Sequence, residues 1–155
     1  MSDRNVFVAA FLTAVLIVAG AFAWTGLFFF DLAKATIFVA IAVLVFYGED
    51  RLSYMLGILA PALWFFVDIL TGIFVTDFRV LIAYVTGNTV APLETPLHGL
   101  ARLSAIVLIA ASVHAWRKQV PEKFLGKTFW ICLVVSLAYA VVLSVWYLRI
   151  MHGAG

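Results

Sequence analysis

Charged side chains are scarce in this 155-residue chain, at 12%, and cysteine is nearly absent, with Cys132 alone. A lone cysteine excludes an intrachain disulfide, a CxxC redox pair and a Cys-rich metal site. The shortage of charge excludes more. Soluble domains carry roughly 25% charged and 45–50% apolar residues, whereas this chain is 66% hydrophobic with a mean hydropathy of +1.14. Apolar segments fill nearly its whole length and leave no room for a soluble catalytic domain, so it reads as a single-domain integral membrane protein. The formal charge of +2 rests on scattered basic residues, which gives no nucleic-acid partner. Nucleophile triads, zinc spacings and phosphate-cradling glycine loops are missing too. Any chemistry lies in the membrane or at its surfaces, and no catalytic residue and no metal site are assigned.

What is present is a series of apolar runs. A span needs about 20 apolar residues, and five segments qualify, at about 6–25, 32–47, 53–76, 96–116 and 128–148. The sequence thus predicts an all-α bundle of five transmembrane helices over residues 1–155. The first run ends Ala21-Phe22-Ala23, like a signal-peptide cleavage site, but its single Arg4 is offset by Asp3 and its apolar run is long, so it is read as a retained span. Gly26-Leu27-Phe28-Phe29-Phe30 reads as a tight aromatic turn, Asp31 as the cap of the second span, and Lys34 as a side chain snorkelling to the headgroups. Gly48-Glu49-Asp50-Arg51 forms the next turn. The connection from Asp77 to Thr95 is too apolar for a solvated loop and too short to span. It predicts an interfacial helix over Phe78–Val85 and a turn at Gly87-Asn88, with a re-entrant segment as the other arrangement. Thr95-Pro96 then opens the fourth span as N-cap and first helical residue.

Orientation follows from basic residues. The turn from Arg117 to Lys127 carries four of the ten Lys and Arg residues, and positively charged short loops stay in the cytoplasm. This places the N-terminus and Arg51 inside, and Lys34, Arg79, Arg102, Arg149 and the C-terminus outside. Small residues at four-residue spacing mark packing faces: Ala10 and Ala14, Ala101 and Ala105, and Ser136, Ala140 and Ser144. They serve contacts within one bundle or between copies of the chain.

Within the third span, Asp68 interrupts the run Ala60-Pro61-Ala62-Leu63-Trp64-Phe65-Phe66-Val67-Asp68-Ile69-Leu70. An aspartate at the centre of a spanning helix costs roughly 2.5–3.5 kcal/mol, which marks it as a functional group with a partner. Pro61, Trp64, Phe65, Asp68 and Gly72 share one helical face, and Pro61 frees the carbonyl of Gly57. Asp68 falls about 12 Å and Arg102 about 9 Å from the same face of the membrane, at about 1.5 Å per residue, so the two can be level. The functional reading is a protonatable or ligand-binding site made of Asp68 and Arg102, with Trp64, Phe65 and Pro61 as its walls. The bland reading is an ion pair that only holds helices in register.

Histidines give less. His98 and His114 lie sixteen residues apart on the fourth span, about 24 Å along the axis, and His152 follows the fifth span. Paired histidines from facing helices hold haem in bundles. By topology only His98 and His152 could pair, which makes them weak haem candidates. Trp24, Trp116, Trp130, Trp146 and Tyr147 fit an aromatic belt, and Cys132 a small packing residue.

Five short aromatic-rich spans resemble, in span number, the tryptophan-rich sensory (translocator) proteins. Their tryptophan and proline pattern in the first loop is missing here and the long connection lies between spans three and four, so no residue role is carried over. Two functions compete: a small transporter or ligand-binding bundle centred on Asp68, and a non-catalytic accessory or anchor subunit of a larger membrane complex adjoining a quinone or haem site. An intramembrane enzyme acting on lipid would have only Asp68 and distant histidines to work with.

Overall fold

The structure, a computed structural model, describes residues 2–23, 27–88, 95–121 and 123–153, without the side chains of Ser2 and of residues 151–153. It is all-helical, in the order α1 (Ser2–Ala23), α2 (Phe28–Phe46), α3 (Asp50–Leu70), α4 (Ile73–Val85), α5 (Leu97–Gln119) and α6 (Lys127–Gly153). All but α4 are long and apolar enough to cross a membrane. Bulky apolar side chains such as Phe11, Val39, Phe66, Val134 and Val142 are exposed, as lipid contact requires.

Helix α1 packs most extensively against α5 and α2, while α3 bridges α5 and α6. Small residues permit the α1–α5 approach: Ala10, Ala14, Ala101 and Ala105 are all buried. A hydroxyl pair crosses that contact, with Thr13 Oγ1 2.9 Å from Ser104 Oγ and 2.7 Å from the Ala9 carbonyl. Helices α3 and α5 meet at Gly57, where an added Cβ would collide with Ser112 Oγ. Helix α6 is peripheral; its inward stripe includes Cys132 and Ser136, both buried, and the Tyr139 hydroxyl donates to the Ala33 carbonyl at 2.6 Å.

Several boundaries differ from those read in the sequence, each for a local reason. The helix expected over 53–76 ends at Leu70, because Gly72 adopts a left-handed φ of +75° and starts α4 at Ile73. Phe28, Phe29 and Phe30 belong to α2 rather than to a turn, which puts Asp31 inside the helix, with no cap formed by a side chain. Thr95 Oγ1 accepts from the Leu97 N–H at 3.2 Å, while Pro96 flanks the helix instead of starting it. Helix α3 runs unbroken through the buried Pro61. Trp24 and the segment 89–94 lie outside the described residues.

Candidate functional site

The connections bring one end of α2, α3 and α5 together with α4, and charged side chains converge there. Arg102 lies 2% exposed between two carboxylates. Its Nη2 donates to Asp68 Oδ2 at 2.6 Å, its Nη1 donates to the Asp77 carboxylate from α4, and Nη1 is also 3.3 Å from the His98 carbonyl. Its guanidinium lies over the Trp64 ring, 5.3 Å from the centroid, within cation–π range. Trp64 in turn stacks on Phe65, at 5.7 Å, and meets Phe38 edge-on. Each partner supplies what the other needs, since a buried carboxylate or guanidinium left alone costs several kcal/mol by order of magnitude.

Beside this group lies a second one. Asp31, 2% exposed, accepts from Lys34 Nζ at 2.7 Å and faces His98 Nε2 at 3.5 Å. The Lys34 ammonium reaches back toward the start of α2, onto Asp31 and over the Phe30 ring at 5.0 Å. The His98 ring packs on Gly20 of α1, where an added Cβ would come within 3.0 Å of it. Lys34 and His98 are within electrostatic reach of Asp68, and Arg102 within reach of Asp31, so the two groups form one network drawn from four helices.

The geometry joins Asp68 and Trp64 at the Arg102 guanidinium, Phe65 stacks on Trp64, and Pro61 sits buried about two turns earlier on α3. It differs from the sequence-based expectation in depth: Asp68 lies in the last turn of α3, not well inside a longer span, and its partner Arg102 also holds Asp77 of α4. From the sequence alone, Asp31, Lys34, Asp77 and His98 read as a cap, a snorkelling lysine, a span boundary and a weak haem candidate. The alternation of span directions carried the missed signal, because it assigns all four to the membrane face already given to Asp68. His98 is engaged by Asp31; the side chain of His152, its proposed haem partner, lies outside the described residues, and His114 is exposed at the far end of α5.

Two N–H donors of the cluster, Trp64 Nε1 and Arg102 Nε, are buried without an acceptor among the described residues. The site therefore combines spare donor capacity with three carboxylates against the two cations Lys34 and Arg102. Such a cluster can accept a proton or cation electrostatically and hold an acceptor atom, such as a water oxygen, on its free N–H groups. At the opposite end of the bundle, the buried Tyr54 hydroxyl bonds the Asp3 carboxylate and the Gln119 amide, tying α1, α3 and α5 together. Comparison with protein-family models, curated proteins and solved structures gives no match.

Proposed function

We propose that the chain is a small integral membrane transporter or ligand-binding bundle whose working group is the Asp68 carboxylate, gated by Arg102. The observation that carries this reading is the charge imbalance: Asp31, Asp68 and Asp77 face Lys34 and Arg102, with His98 as the only other titratable side chain described in the network. In a low-dielectric surrounding, an uncompensated carboxylate attracts a proton or a small cation. The unpartnered Trp64 and Arg102 N–H groups suit the water that would bring it. Under the positive-inside bias, the cluster faces the non-cytoplasmic side and α4 lies along that interface, over the site.

Aqueous access to Asp68 separates a working site from a sealed staple. Asp68→Cys in a Cys132→Ala background, in sealed vesicles, should react with a membrane-impermeant thiol reagent applied from the non-cytoplasmic side. No labelling from either side would overturn the reading. The second reading, a non-catalytic subunit of a larger membrane complex, draws on the double engagement of Arg102, which is what a helix staple needs. Stable co-purification with redox subunits from the native membrane would favour it.

A further inference from the structure

The cationic end of the bundle, remote from Asp68, holds a different feature. The last two turns of α5 and the following turn enclose a groove of about 480 Å³ lined by Val113, Trp116, Arg117, Val120 and Phe124. Its floor is apolar and aromatic, with Trp116 buried and meeting Phe124 edge-on at 6.1 Å. Its rim is cationic. Arg117, Lys118, Lys123 and Lys127 are exposed, and no carboxylate among the described residues pairs with them. Over the stretch from Arg117 to Lys127 the sequence has four cations against the single carboxylate Glu122, which lies outside the described residues.

We infer that this groove seats the headgroup and glycerol region of an anionic phospholipid, with Arg117 on the phosphate and Val113, Trp116, Val120 and Phe124 against the start of the acyl chains. Charge complementarity selects the ligand: a basic rim at a membrane–water boundary recruits anionic headgroups. An arginine adds a planar fork that matches phosphate oxygens. The apolar floor distinguishes this from diffuse attraction, because a phosphate ion alone would leave it uncovered. Phe124 and Leu125, 43% and 68% exposed, extend the apolar surface from the floor into the surrounding bilayer. A contrasting groove of about 730 Å³ between α1 and α2, walled by Phe7, Phe11, Val15 and Val43, has no charged lining residue and so offers a headgroup nothing.

The full-length protein in mild detergent would be titrated with phosphatidylglycerol and with phosphatidylcholine of identical acyl chains, and bound lipid counted by native mass spectrometry. Phosphatidylglycerol should be retained at least fivefold better. Arg117→Gln should lower that retention about fivefold, the factor for losing one cation near an anionic surface. Val120→Trp, which fills the groove and keeps every charge, should lower it comparably. Arg79→Gln, at an exposed site on α4, should leave it unchanged. Equal retention of the two lipids overturns the inference; so does full retention by Val120→Trp or by Arg117→Gln. Displacement of the lipid by an equal concentration of inorganic phosphate would likewise overturn it, by showing a free-anion site.

Discussion

Arg102 on α5 donates to Asp68 on α3 at 2.6 Å, although Asp68 occupies the last turn of its helix, where the macrodipole disfavours an anion. The pair therefore does not arise from either helix alone; tertiary packing places a cation where α3 ends. Asp77, brought over by α4, gives the guanidinium its second carboxylate.

This unequal sharing predicts unequal losses. Arg102→Met strands two carboxylates and should destabilise the bundle by about 3–5 kcal/mol. Asp68→Asn leaves Arg102 bound to Asp77 and keeps a carbonyl acceptor, so it should cost only about 1–2 kcal/mol. Unfolding titrations in detergent mixtures check the order, and a larger loss for Asp68→Asn than for Arg102→Met would refute the sharing.

Close approach of α3 and α5 rests on Gly57. In Gly57→Ala the new Cβ meets Ser112 Oγ at a separation real contacts do not reach, for an expected cost of about 1–3 kcal/mol. Ser112 Oγ has no hydrogen-bond partner among the described residues, so Ser112→Ala should change stability by less than about 1 kcal/mol. Combining the two should recover most of the loss, since the next atom, Ser112 Cβ, lies at 3.2 Å. A double variant no better than Gly57→Ala alone would point to the helix backbone as the source of the strain.

Gly72 sets the break that lets α4 turn back over the site. A Cβ there meets no atom of the described residues within 4 Å, so Gly72→Ala tests the left-handed backbone alone, at about 1–2 kcal/mol. Amide exchange across Ile73–Val85 should accelerate in this variant. Gly48→Ala carries the same kind of strain between α2 and α3, at φ +76°, and should leave α4 exchange unchanged. Equal acceleration in both would mean that α4 protection reflects global stability.

The length of the apolar runs made the five long helices legible in the sequence, because crossing lipid demands about 20 apolar residues. The small-residue stripes were legible too, and Ala10, Ala14, Ala101 and Ala105 lie buried where α1 meets α5. Asp68 and Arg102 stood out because charge inside an apolar run is costly. Asp31 and Asp77 did not, since a carboxylate near a span end has an inexpensive explanation in capping or solvent. The packing of α4 on α5, where Gly99 lies close to Leu81, brings Asp77 to Arg102, and the partners of Asp31 come from its own helix and from α5. A stretch as apolar as 53–76 hides a break that a single Cα conformation imposes.

Proton flux separates an Asp68 that works from one that merely staples. The protein would be reconstituted in vesicles enclosing a pH-sensitive dye, with an imposed potassium diffusion potential. Wild-type vesicles should acidify faster than protein-free ones, and Asp68→Asn, with its folding verified, should fall to the protein-free rate. Identical rates in wild-type, Asp68→Asn and protein-free vesicles would rule out a working carboxylate and leave the Asp68–Arg102 pair as a structural tie.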